Sequence, residues 1–125
     1  MLNHLSLAVT DLARSATFYD ATLLPLGYIR VWTDDTAVGY GPPGSDDKFA
    51  IKLRKNISIP GNGFHVAFTA PSHEAMHAFY EAALAHGGKD YGGAGLHSEY
   101  GPQYHAAFVI DPDGYRIEAK VDLKS

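Results

Sequence analysis

Seven histidines are spread along the chain, at positions 4, 65, 73, 77, 86, 97 and 105. Imidazole is both the commonest transition-metal ligand and the usual general base near neutral pH. His4 and His65 each open a run of alternating residues. Leu5, Leu7 and Val9 oppose His4, Ser6 and Ala8; Phe64, Val66 and Phe68 oppose His65, Ala67 and Thr69. Near the end of the chain Tyr115, Ile117, Ala119 and Val121 oppose Arg116, Glu118 and Lys120. Alternation of this kind marks half-buried strands. If the apolar faces pack under helices, His4, His65 and Glu118 all point to the opposite side. Two imidazoles and one carboxylate make a divalent-metal site that leaves coordination positions open, suited to zinc, iron, manganese or nickel. Each residue alone has a plainer account: a strand histidine is simply polar, and Glu118 between Arg116 and Lys120 is a solvated ion pair.

The elements that would position these groups form a repeat. An offset of 61 takes His4 to His65, Phe18-Tyr19-Asp20-Ala21-Thr22-Leu23 to Phe79-Tyr80-Glu81-Ala82-Ala83-Leu84, and Gly27 to Gly88. This spacing predicts two modules, about residues 1–60 and 61–125, meeting near Pro60-Gly61-Asn62-Gly63. Within each, a strand leads to a helix. The first helix is capped by Asp11, with Leu12, Ala16, Tyr19, Leu23 and Leu26 as its stripe; the second is capped by Ser72, with Met76, Phe79, Tyr80, Ala83 and Leu84. Gly27 and Gly88 are placed to end the helices in a left-handed residue. Strand-like runs follow at 28–33, 37–40 and 49–55, then at 89–91, 104–110 and 115–121, with turns at Gly41-Pro42-Pro43-Gly44 and Asp111-Pro112-Asp113-Gly114. The expectation is an α+β fold of two tandem βαβββ modules in one domain: a cupped mixed sheet with helices on its outer face.

Composition removes several function classes. Ten Lys and Arg against fourteen Asp and Glu give a net charge of −4, without the basic patch that nucleic acid requires. The absence of cysteine excludes thiolate metal sites and cysteine nucleophiles. No apolar run approaches the roughly 20 residues of a membrane helix, and Met1-Leu2-Asn3-His4 lacks the basic start of a signal peptide. A cytoplasmic protein is expected. His73-Glu74-Ala75-Met76-His77 matches the pattern of two helical histidines with a glutamate base. The two histidines flank the apolar stripe of the second helix, Glu74 lies nearly opposite it, and no third ligand is evident. A chance match explains this motif better than a protease does.

Three segments resemble the vicinal oxygen chelate superfamily, which includes glyoxalase I, extradiol dioxygenases, fosfomycin-resistance enzymes and bleomycin-resistance proteins. They are Asn3-His4-Leu5-Ser6-Leu7-Ala8-Val9-Thr10-Asp11 with Ser15 and Phe18-Tyr19, then Phe64-His65-Val66-Ala67-Phe68, and Ala107 to Glu118 through Asp111-Pro112-Asp113-Gly114. The resemblance implies that His4, His65 and Glu118 occupy the family's metal-ligand positions and that the substrate chelates the metal through oxygen. Glyoxalase I has a fourth ligand, a carboxylate on the last strand of the first half. Pairing Phe49 to Lys55 against Tyr115 to Val121 sets Lys52 at that place, which argues against authentic glyoxalase I activity. Ser6 fits the hydroxyl that fosfomycin enzymes carry two residues after the first histidine.

The sequence thus points to a metal-dependent glyoxalase- or lyase-like enzyme acting on a small, oxygen-rich molecule. The rival is a non-catalytic protein that sequesters a drug or metabolite. Ser6 and His105 are candidate catalytic groups, although a structural role suits His105 better. Lys52, Arg54 and Arg116 would attract an anionic substrate, or are simply solvated bases. Trp32 and Tyr104 would line the cup, or pack in the core. Open sheet edges and an uncovered cup lead to the expectation of a homodimer.

Overall fold

A computed structural model describes residues 1–122. Strand β1 (Leu5–Val9) leads into helix α1 (Leu12–Leu23), a 3₁₀ turn (Leu24–Leu26), and strands β2 (Ile29–Thr33), β3 (Ala37–Gly41) and β4 (Phe49–Leu53). The second half repeats the order with β5 (Val66–Ala70), α2 (His73–Ala85), β6 (Lys89–Leu96), β7 (His105–Ile110) and β8 (Arg116–Val121). The strands form two four-stranded mixed sheets, ordered β1-β4-β3-β2 and β5-β8-β7-β6. In each, the opening strand runs parallel to the last and the others are antiparallel. No helix among the described residues is long and apolar enough to cross a membrane.

Both helices start where an oxygen can accept their free amides. Asp11 accepts from Arg14 N, and Ser72 from Ala75 N. Ala16, Tyr19 and Leu23 are buried as their spacing implies, together with Phe18, Ser15 and Thr22. On α2, Met76, Phe79 and Ala83 are buried, whereas Leu84 is 44% exposed. Gly27 has the left-handed conformation expected of it, with φ 91°. In the second half that role passes from Gly88 to Gly87, at φ 98°. Gly88 is needed for contact instead: a Cβ there would lie 2.7 Å from the Phe18 ring and 2.8 Å from the Ala83 carbonyl. Strand β6 runs to Leu96, beyond the expected 89–91. A register shift between Asp90 and Gly93 lets the glycine-rich segment rejoin the ladder.

The halves are joined by polar contacts at the β7–β8 turn. Asp111 is buried, and its Oδ1 accepts from the amides of Asp113, Gly114 and Tyr115. Its Oδ2 accepts the hydroxyl of fully buried Tyr19, 2.5 Å away on α1. Burial pushes the Asp111 carboxyl above its ordinary value, against the lowering effect of these donors. Asp113 accepts from Thr10, Arg14 and Ser15 at 2.8–3.0 Å, and the Tyr115 hydroxyl donates to the Ala8 carbonyl at 2.7 Å. Tyr19→Phe removes one donor from a buried carboxylate while keeping the ring. It should cost about 1–3 kcal/mol, read as a lower denaturation midpoint in urea without loss of fold.

Candidate functional site

The site is built on the second sheet, on the side away from the helices. Register pairs Ala67 with Glu118 and Phe108 with Glu118. Residues paired across a ladder share a face, so Glu118 stands between β5 and β7 on the face that Ile117 and Ala119 do not use. Those two neighbours belong to the helix-covered core. Glu118 is nevertheless only 1% exposed, and a buried carboxylate is costly unless its lone pairs are met. Two groups meet them. His65 Nε2 lies 3.0 Å from Oε1, and the Tyr104 hydroxyl donates to Oε2 at 2.5 Å. Partial burial and the bond to Glu118 push the Tyr104 phenol up to about 12, so it is a neutral donor at ordinary pH.

These three residues border a cavity of about 600 Å³, within the range of small-molecule pockets. Arg116 borders it as well, but its guanidinium already donates to the Gly61 carbonyl and to Asn62 Oδ1, and lies 5.3 Å from the centre of the Tyr91 ring. Lys120, one turn of the pleat beyond Glu118, sets its ammonium 4.9 Å over the Tyr104 ring.

The other candidates lie apart from this cavity. His4 precedes β1, bonds Asn3 Oδ1 at 2.8 Å and borders a separate recess with Tyr28, Phe49 and Phe68. Among the described residues no three metal-binding side chains come together within the one chain. Ser6 and Lys52 stand on β1 and β4 of the first sheet, paired with Ala50 and Ala8. Trp32 faces them from β2, where it lies so close over Gly39 that a Cβ there would fall inside the indole. Arg54 follows β4 and donates to the Leu53 carbonyl at 2.7 Å. His105 does not face the cavity. It shares its side of β7 with the core residues Ala107 and Val109, and its ring packs 4.4 Å from that of His73 on α2.

The register also corrects the place assigned to Lys52. The offset of 61 makes Ser6 the counterpart of Ala67. Since Ala67 pairs with Glu118 and Ser6 with Ala50, the counterpart of Glu118 is Ala50. Lys52 corresponds to Lys120, one rung further along the same face. The position still holds no carboxylate, but for want of a side chain rather than through a cation.

A group that the sequence did not reveal completes the cavity: Tyr91, His97, Tyr100 and Phe108. The His97 and Phe108 rings meet edge to face at 4.8 Å, and Tyr100 lies 5.2 Å from Tyr104 and 6.0 Å from Phe108. The available signal was the run Gly92-Gly93-Ala94-Gly95 beside Tyr91, because glycines within a strand mark a bulge or an open face.

The family model described as Glyoxalase/Bleomycin resistance protein/Dioxygenase superfamily matches residues 1–119. The chain belongs to this superfamily. Similar solved structures of the superfamily include a glyoxalase/bleomycin resistance protein from Albidiferax ferrireducens T118, at 31% identity and TM-score 0.81, covering 96% of this chain and 97% of that one. The fold is shared with glyoxalase I from Zea mays, at 20% identity and TM-score 0.72, covering 96% of this chain and 45% of that one. It is shared too with the fosfomycin resistance protein FosX from Listeria monocytogenes, at 16% identity and TM-score 0.70, covering 98% and 93%. No curated protein matches the chain. In this member of the superfamily, the His65–Glu118–Tyr104 group sets a buried carboxylate against a ligand-sized cavity.

Proposed function

We propose that this single-domain superfamily member is a cytoplasmic, metal-dependent, glyoxalase- or lyase-like enzyme acting on a small molecule that chelates the metal through oxygen. The observation that carries the reading is the His65–Glu118 pair. Its Nε2 and Oε1 atoms stand 3.0 Å apart at the cavity, so an imidazole nitrogen and a carboxylate oxygen, both donors suited to a divalent ion, converge there. Within one chain His4 lies in a separate recess, so the third donor would be His4 of a second copy; the working form would then be a homodimer, with Ser6 of that copy beside it. A divalent ion held there would supply Lewis-acid polarisation of substrate oxygens.

The chain's own residues perform the supporting tasks. Tyr104 occupies Oε2 of Glu118, so the carboxylate presents Oε1 alone beside His65. Because its phenol stays protonated, this orientation persists across the working pH range. Arg116 holds the segment around Asn62 over the cavity, close to His65. Outer hydrogen-bond partners of metal ligands commonly change affinity by about 10–100-fold. Tyr104→Phe should therefore weaken divalent-metal binding by about that factor while leaving the fold intact, as measured by calorimetric titration and circular dichroism.

Elemental analysis of the purified protein tests the central reading. One divalent ion per chain is expected, as is loss of substrate turnover on chelation. Ligand binding that a chelator leaves unchanged would favour a sequestering protein instead, which the already paired His65 and Glu118 would also suit.

A further inference from the structure

The cavity that holds His65 and Glu118 has a second chemical character, set by its aromatic residues. Across the β6–β7 ladder, Gly93 pairs with Phe108 and Gly95 with Ala106. Phe108 and Ala106 pair in turn with Glu118 and Lys120. All of these positions therefore lie on the cavity side of the sheet, and at the two rungs facing Phe108 and Ala106 β6 contributes no side chain. Phe108, half-buried and met by the His97 ring, thus has no β6 side chain against it on the Gly93 side, beside the carboxylate. At Gly92 a Cβ would come within 3.4 Å of the Phe108 side chain. The shift in register after Asp90 is held by its carboxylate, which accepts from the Gly92 and Gly93 amides. Tyr91, at this bend, and Tyr100, before β7, both border the cavity. They are 48% and 62% exposed, large apolar surfaces that a bound molecule would cover.

We infer that the natural ligand carries a flat aromatic ring attached directly, or through one carbon, to the oxygen atoms that meet His65 and Glu118. The inference rests on the metal reading for the oxygen end alone; the ring end rests on Phe108, Tyr91, Tyr100 and the bare glycine strand. Adjacent strands lie about 4.8 Å apart, so the Phe108 face begins within one ring's width of the carboxylate. A longer spacer would carry the ring past it. Offset or edge-to-face contact with such walls favours an aryl group over an alkyl group of similar size.

Mandelate and lactate offer the same α-hydroxycarboxylate and differ in phenyl against methyl; hexahydromandelate supplies equal bulk without an aromatic face. Calorimetric titration of the zinc-loaded protein should show mandelate binding about tenfold or more tighter than lactate, with hexahydromandelate clearly weaker than mandelate. Tyr100→Ala and Phe108→Leu should each shrink the mandelate-to-lactate ratio. A ratio near one in the unaltered protein, or no mandelate binding at millimolar concentration, overturns the inference. Titration with zinc alone reads the metal separately. If no zinc is taken up, the metal reading fails, and phenylacetate against acetate on the metal-free protein then decides the ring site: preference for phenylacetate supports it, and equal binding overturns it.

Discussion

Glu118→Gln should reduce divalent-metal affinity by more than about 100-fold, beyond the loss expected from any outer partner. The exchange keeps size and shape, so Tyr104 can still donate to the remaining carbonyl oxygen, but it removes the charge and one good donor. His65→Ala should produce a similar loss by removing the other donor, and it also leaves Oε1 of a carboxylate that is 1% exposed without its partner. The two variants should part company in stability. Glutamine removes a buried charge and should leave the denaturation midpoint unchanged or raised, whereas His65→Ala should lower it. Full metal content in either variant, read by elemental analysis after exhaustive dialysis, would show that the ion sits elsewhere.

The separation of His4 from His65 and Glu118 leads to an equally large effect. His4→Ala and Glu118→Gln should each abolish metal binding and turnover alone. Unfolded together and refolded as an equal mixture, they should recover about a quarter of the unaltered sites, because half the dimers are mixed and each has one intact His4 facing one intact His65–Glu118 pair. Recovery would appear only after subunit exchange, and mixing either variant with itself would give none. If the mixture stays inactive although mass measurement shows mixed dimers, His4 does not complete the site.

Much of this architecture was legible because the chain repeats itself. The offset joining His4 to His65 also joins the two helix cores, and the caps at Asp11 and Ser72 stand where side-chain oxygens were expected. Alternation put Glu118 on the opposite face from Ile117 and Ala119, as the structure has it. Alternation reports the face of a residue and is silent about its rung. Lys52 was on the correct face and one rung too far. His105 is a different case, since Ala107 and Val109 share its side of β7 and mark that side as core. The aromatic walls were out of reach of periodicity altogether. Tyr91 is placed by a register shift, Tyr100 by the turn before β7, and the side of Phe108 facing β6 is kept free of side chains by glycines that a propensity argument counts against a strand.

The contacts of Asp111, Asp113 and Tyr115 impose an order of events on a chain made from its N-terminus. Tyr19 finds its acceptor 92 residues later, Thr10 103 later, and the Ala8 carbonyl its donor 107 later. On the ribosome, the first module therefore exists for most of synthesis with the start of α1 unfastened and the Tyr19 hydroxyl unpartnered. Contacts of such long sequence separation slow folding, and chains that wait with apolar surface exposed are open to misassembly. The turn at 111–114 acts as a late clasp: the first half is secured only when nearly the last strand has been made.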